Sequence, residues 1–524
     1  MSKQEIAKSA LIISLATNLS RVFGYARDLI IAFFFGTGAG AQAFVVAFRI
    51  PNLLRQLVGE GAVGAALVPV FSEYLSIRSE DEFKNLAKAL FSIFSVALVV
   101  LVVVGIWLAP FIVRLIAPGF LDEENLYKFA LTVKMTRILF PYILLVGLGA
   151  ICMGVLHSFR IFAPSSFAPV ILNISIICAA LFLRNKFVEP AMSLAVGALI
   201  GGVLQLAIQL PPLIKKGVRL KFVFGIAREG TRRIGRLLLP RAIGAAVYQL
   251  NIFVDTILAS FAFIVGEGAI VALYLSTRII QYPMGILAYP IATAALPAMS
   301  EQVARNEIQK LKDTISFSLR GVFFVMIPAM VGLLILARPI TQLLFEWGVF
   351  GNYSTDITAA ALFFYSFGLF AYAGVKILVN GFYAMQDTKT PVKVACCALI
   401  INIVFNLALM WRLKVGGLAL ATSISAIFNF GALFFLLDKK LGYLDRERIA
   451  KTSLKIFVCS VIMGIFCFMV FKNLTFSFII TRAFRELARI FTSIVFSVCI
   501  FTFCAYILGI KEARTLSRWI LRRK

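Results

Sequence analysis

Apolar residues fall in blocks of roughly twenty or more along the whole chain, with short polar connections between them. A block of that length can cross the hydrocarbon core of a bilayer, about 30 Å thick, as a single helix. Fourteen blocks lie at about 10–35, 41–75, 87–116, 129–156, 164–183, 190–214, 237–265, 268–298, 315–346, 356–385, 392–411, 416–437, 453–471 and 484–509. The longest gap, Lys215 to Arg236, is about twenty residues and leaves no room for a soluble domain. The pattern predicts an all-α polytopic membrane protein with fourteen transmembrane helices.

Charge interrupts the pattern at a few places, and those places carry the chemistry. The first block holds Arg21, Arg27 and Asp28 in its middle third, the second holds Arg49, Arg55 and Glu60, and the eighth holds Arg278. An arginine at mid-bilayer costs about 2.5 to 3.5 kcal/mol, so four or five oppose insertion by about 10 kcal/mol unless they line water or meet a partner. A planar guanidinium fork in such a place suits an anion, phosphate above all.

Helical spacing groups these residues. Asn52, Gln56 and Glu60 follow i, i+4, i+8, with Arg55 beside them, as a polar stripe on an otherwise apolar helix. In the first block Ser20 and Arg27 share one face, Arg21 and Asp28 another. The second pair could equally be a scaffold in which the two charges neutralise each other. Arg241, Tyr248 and Asp255 follow i, i+7, i+14. Asp255 is a candidate cation or proton site, or the partner of an arginine. Pro51 is expected to split the second block, and Pro283, Pro290 and Pro297 to punctuate the eighth.

The two halves repeat. Pro69, Ser72 and Glu73 fall on Pro297, Ser300 and Glu301 at an offset of 228, and Pro110 and Gly119 on Pro339 and Gly348 at 229. Gly154 to Pro164 matches Gly381 to Pro391 at 227. Blocks 1 to 6 and 7 to 12 are then two six-helix bundles, entering the membrane in the same sense because six is even. Parallel repeats of that kind surround a central cavity in transporters. The expected layout is an N-terminal lobe at 1–214, a basic cytoplasmic linker at 215–236, a C-terminal lobe at 237–437, and two further helices with a basic tail at 438–524.

Composition narrows the class. At 61% hydrophobic residues the chain is outside the range of soluble domains. The net charge of +27 suggests nucleic acid at first, but its placement does not. With a cytoplasmic N-terminus, about 31 Lys and Arg lie inside and about 6 outside. That asymmetry is the positive-inside rule, and it puts both termini in the cytoplasm. All eight cysteines lie in apolar blocks and read as small core residues. His157, the single histidine, cannot build a metal site alone, so no metal or cofactor is expected. The N-terminal block runs on through its arginines and reads as a retained span rather than a signal peptide. No phosphate-binding glycine loop followed by Lys and Ser or Thr occurs, which argues against ATP as the energy source. No carboxylate-rich metal motif of a membrane transferase is present either. A secondary transporter fits, and an enzyme does not.

Three segments carry a resemblance. LSRVFGYARD (Leu19 to Asp28), RIPNLLRQLVGEGAVGAALVPVFSEY (Arg49 to Tyr74) and GFYAMQDTKTPVK (Gly381 to Lys393) are similar to signature segments of the MurJ/MviN lipid II flippases. That family belongs to the multidrug/oligosaccharidyl-lipid/polysaccharide exporter superfamily. The resemblance covers essentially the whole chain. It implies transport of lipid II, the undecaprenyl-pyrophosphate-linked peptidoglycan precursor, to the outer leaflet of the bacterial inner membrane by alternating access.

For the site, the resemblance implies substrate contacts from Arg21, Arg27, Arg55 and Arg278, with Asn52 and Glu60 beside them and the last two helices forming a groove for the lipid tail; Arg49, charged on the same apolar block, joins the candidates from the pattern alone. Asp28 and Asp255 are the candidates for coupling to sodium or protons, and membrane potential is a third energy source. Gln42, Gln56 and Thr277 stand where relatives carry charged residues. Lipid II and membrane lipids are the expected partners, and the monomer the expected unit. The alternative is another exporter of the superfamily, carrying a different polyprenyl-linked glycan or exchanging drugs for cations. A cationic-drug pump should show cavity carboxylates, whereas the first half shows mainly arginine.

Overall fold

The computed structural model describes residues 3–55, 63–218, 222–223, 229–474 and 481–513. Among the described residues the regular structure is all helix, with no strand. Among the described residues nine helices are long and apolar enough to cross a membrane, or up to eleven when each of two bent pairs counts as one span. The chain is a multi-pass membrane protein. Its contacts divide it into two compact units, Met1–Phe261 with Gly348–Phe350, and Ala262–Trp347 with Gly351–Lys524.

Unit 1 contains α1 (Lys3–Phe35), α2 (Ala39–Arg55), α3 (Val63–Ile77), α4 (Glu80–Ile116), α5 (Leu126–Ser158), α6 (Ala163–Phe182), α7 (Met192–Ala207), α8 (Leu210–Lys215) and α9 (Glu229–Ala259). Helix α4 starts where Ser79 accepts the Glu82 amide at 3.2 Å, with Glu80, Asp81 and Glu82 set against the positive end of its dipole. Small residues let α6 and α7 touch. A Cβ at Gly197 would lie 2.5 Å from that of Ala179, and one at Gly201 only 3.0 Å from the Leu172 Cα. Leu67, Phe71, Phe83, Leu90, Ile151 and Val155 form part of a closed core among α3, α4 and α5.

Unit 2 contains α10 (Ala262–Val265), α11 (Ala269–Pro283), α12 (Tyr289–Ala304), α13 (Ile308–Phe345), α14 (Asn352–Ser366), α15 (Leu369–Ala384), α16 (Lys389–Leu413), α17 (Val415–Leu441), α18 (Arg446–Asn473) and α19 (Arg482–Ile507). Two buried asparagines tie α16 to α17, Asn406 donating to Asn402 at 2.9 Å and Asn402 to Thr422 at 3.1 Å. The last two helices pack on α13. Arg320 of α13 forms a buried ion pair with Glu512, just past α19, and Phe324 meets Phe501 at 5.2 Å between ring centroids.

The prolines act unequally. Helix α2 does not split at Pro51 but continues to Arg55, Pro51 itself being buried. Helix α5 likewise passes through Pro141. A single lost amide bond bends such a helix without ending it when neighbours hold it on both sides. Pro283 does interrupt the regular helix. The π-helical segment Met284–Ala288 follows it, and the α11/α12 pair is bent by 47°. A second bend, 46°, joins α14 to α15 with no proline at the break. Gly368 sits there, where a Cβ would lie 2.6 Å from the Tyr372 ring.

Candidate functional site

In unit 1 the site is built on the face that α1 turns toward α6. Arg27 and Asp28 are buried, 5% and 2% exposed. Adjacent residues on a helix normally point apart. Here the guanidinium folds back, Nε donating to Asp28 Oδ1 at 3.1 Å and Nη2 to the same oxygen at 2.7 Å. Nη1 donates to Asn173 Oδ1 on α6 at 3.0 Å. Asn173 in turn donates through Nδ2 to the Ser20 carbonyl at 3.2 Å. The buried charge is thus compensated inside the bundle, as the cost of desolvating it requires.

Helix α2 brings a second arginine to α9. Arg49 donates to the Ile252 carbonyl at 2.9 Å and to the Thr256 hydroxyl, which itself bonds the Ile252 carbonyl at 2.6 Å. Asp255, the neighbour of Thr256, is buried. Asn52 is half-buried on α2, and Arg21 is exposed on α1. Gln42 is buried and donates to the Thr37 carbonyl at 3.1 Å, capping the turn before α2. Arg55 ends α2, but its side chain lies outside the described residues, as do Gln56 and Glu60 altogether. The side chains of Arg241 and Tyr248 lie outside them too.

In unit 2, Arg278 stands on α11 six residues before the start of the π segment. It is half-buried and lies over the Tyr274 ring, 5.1 Å from its centroid. Nη2 donates to the Tyr274 hydroxyl at 3.1 Å, and Nη1 makes a longer contact with Gln281 Oε1 at 3.4 Å. Thr277 spends its hydroxyl on the Leu273 carbonyl at 2.8 Å. Lys376 of α15 sits 5.7 Å from the centroid of the Tyr289 ring, just past the π segment. Asn380 links the same two helices by donating to the Ala292 carbonyl at 2.7 Å.

The structure therefore brings Arg27 and Asp28 together, and Arg49 to the Thr256 side of α9 beside Asp255. Three partners escaped the sequence pattern. Asn173 and Tyr274 read as ordinary polar and aromatic residues of apolar blocks, and Thr256 as a helix filler. Asn173 had one usable signal, an amide in the centre of an otherwise apolar run. Among the described residues no group of three His, Cys, Asp or Glu side chains could hold a metal ion.

Known proteins match both sequence and fold. The family model described as lipid II flippase MurJ matches residues 31–487. The chain is 36% identical over 436 residues to a probable lipid II flippase MurJ of Vibrio cholerae, covering 82% of each chain. It is 35% identical over 437 residues to the lipid II flippase MurJ of Burkholderia cenocepacia, covering 83% of this chain and 84% of that one. A solved structure titled lipid II flippase MurJ, inward closed conformation, superposes with a TM-score of 0.79 at 28% identity, covering 95% of this chain and 99% of that chain. The chain belongs to the lipid II flippase MurJ family.

Proposed function

We propose that this protein moves lipid II from the inner to the outer leaflet of the bacterial inner membrane by alternating access, as a transporter rather than an enzyme. The observation that carries the reading is Arg27 of α1, a guanidinium already stripped of water and held between the Asp28 carboxylate and the Asn173 amide of α6. A pyrophosphate offers the same planar pair of acceptors as a carboxylate, with more charge. Arg27 can take it by giving up Asp28, so the site loses one ion pair as it gains another. Arg21, Arg49, Asn52, Arg55, Glu60 and Arg278 complete the proposed head-group site. Arg278, stacked over the Tyr274 ring and donating to its hydroxyl, suits the other end of the head group.

The proposed architecture has fourteen spans, two parallel six-helix repeats at 1–214 and 237–437, and a lipid-tail groove from α18 and α19. Both termini lie in the cytoplasm, and the monomer embedded in membrane lipid is the working unit. Exposed Phe484, Leu487 and Phe491 on α19 give that groove an apolar wall. Inside-negative potential favours moving a negative head group outward by about 2.3 kcal/mol per charge per 100 mV. Asp28 and Asp255, both buried, are the candidates for a sodium or proton that resets the carrier. The test is replacement of the essential flippase of a tractable bacterium by this chain. Sustained growth with lipid II reaching the outer leaflet supports the proposal; accumulation of lipid II inside, with the chain stably inserted, overturns it.

A further inference from the structure

The last two helices are mounted on a single stripe of α13. Arg320, Phe324, Val331 and Ile335 follow i, i+4, i+11, i+15, which places them on one narrow face of that helix. Arg320 pairs with Glu512 just past α19, and Phe324 meets Phe501 of α19. Val331 and Ile335 close on Gly464 of α18, where a Cβ would lie 2.7 Å from Val331 Cγ1 and 2.9 Å from Ile335 Cδ1. Lys455 of α18 donates to the Leu508 carbonyl at 3.0 Å, tying the two helices to each other shortly before Glu512.

These contacts differ in kind. A ring on a ring, or branched side chains on a glycine, bury area without a preferred partner atom, because apolar attraction is non-directional. The ion pair is directional, yet it is a poor source of stability. One bond, from Arg320 Nη1 to Glu512 Oε1, joins the two residues. Arg320 Nε and Glu512 Oε2 are buried with no hydrogen-bond partner among the described residues, and so is Ser316 Oγ, one turn before Arg320 on the same face. A buried pair offsets its desolvation only when the remaining donors and lone pairs are satisfied too, and well-packed apolar residues of similar volume are often at least as stable. Such residues would hold the hairpin as firmly. They would not fix where along α13 it sits.

We propose that Arg320 and Glu512 are positioning residues for transport, setting the seat of the α18–α19 hairpin on α13 so that its exposed Phe484, Leu487 and Phe491 meet the prenyl tail of the substrate. The proposal rests on the reading of α18 and α19 as the lipid-tail groove. Head-group recognition belongs to other residues, so a substrate whose tail is too short to reach this wall is indifferent to the seat.

The test compares two substrates with the same head group, one carrying the undecaprenyl tail and one a farnesyl tail, on the full chain in proteoliposomes. Glu512→Gln leaves Arg320 buried without its counter-charge and should lower the melting temperature, whereas Arg320→Met/Glu512→Leu removes both charges and should restore it. In that apolar pair, undecaprenyl delivery should stay about tenfold below the parent's while farnesyl delivery matches the parent's to within about twofold. Parent-level undecaprenyl delivery by the apolar pair would mean that Glu512 only neutralises Arg320, and it overturns the proposal. Equal losses with both tails do the same. Should the apolar pair fail to insert, Glu512→Gln carries the same comparison. Hydrogen exchange reads the seat without substrate. The amides of Leu508 and Ile510, bonded to the Cys504 and Ala505 carbonyls at the end of α19, should exchange about tenfold faster in the variant than in the parent, and unchanged exchange overturns the seat. Should the parent chain move neither substrate, the transport reading falls, and the exchange data still decide the seat.

Discussion

Arg27 and Arg278 are both arginines inside apolar helices, yet their surroundings differ. Arg27 is 5% exposed and shares a 2.7 Å bond with a buried carboxylate, while an asparagine from another helix fixes its third nitrogen. Arg278 is half-buried on a helix about to distort, and a neutral phenol and a long amide contact hold it. A guanidinium in an ion pair must surrender a partner of its own strength to bind an anion. A bond to a phenol is weaker than one to a carboxylate. The first is coupled to the packing of its bundle through a carboxylate, and the second bonds a neutral phenol. The two should respond differently to the same substitution.

The largest expected difference is in folding. Arg27→Ala removes one partner of the buried Asp28 carboxylate, a break of a buried pair worth about 3 to 5 kcal/mol, and should sharply lower the yield of folded protein. Arg278→Ala should leave detergent-solubilised thermal stability within about 1 kcal/mol of the parent while reducing lipid II delivery by tenfold or more. Equal destabilisation by both would erase the distinction. Asn173→Ala removes only the neutral partner of Arg27, and thermal unfolding should show a loss of about 1 to 3 kcal/mol. Arg278→Lys keeps the charge but loses the fork, so delivery should fall about tenfold with an unchanged melting temperature. Wild-type delivery by that variant would mean that charge alone suffices there.

The smallest effect lies in the turn between α15 and α16, where a carboxylate is paired with a half-exposed lysine. Asp387 is held at a pKa of about 2, first by the 2.6 Å bond from Lys440 and then by the Thr390 amide and hydroxyl. A depressed carboxylate pKa stabilises the fold fully above its unfolded value of about 3.9, and the contribution fades as pH falls through about 2. Lys440 is half-exposed, which limits the contribution to about 1 kcal/mol. Asp387→Asn should lower the melting temperature at pH 6 slightly and flatten its dependence between about pH 4 and 2. A steep dependence persisting in the variant would assign the acid transition to other groups.

How much of this was legible in the sequence depends on how far apart the partners are. Charges in apolar blocks stand out individually, so Arg27, Asp28, Arg49 and Arg278 were all visible as candidates. Their partners were not. Helical spacing aligned Asp28 with Arg21, but the folded-back guanidinium of Arg27 bonds Asp28, a matter of side-chain packing that periodicity does not encode. Asn173 joins Arg27 across 146 residues, a separation with no local pattern. Prolines were an uneven guide. Pro283 does precede a distorted segment, Pro51 sits in an unbroken helix, and the bend before Leu369 has no proline at all. Arg320 passed unnoticed inside the ninth block because its acid lies beyond the last helix.

That last pair has a consequence for how the protein is made. Arg320 and Glu512 are 192 residues apart, and each is almost wholly enclosed by protein, at 6% and 8% side-chain exposure. A ribosome adding about 5 to 20 residues per second needs about 10 to 40 seconds to travel that distance. Throughout that interval α13 has left the ribosome with a guanidinium whose carboxylate does not yet exist. The nascent chain must keep Arg320 at the lipid head groups or in the insertion machinery until translation is nearly complete. Closure of this ion pair is therefore among the last events in the birth of the molecule.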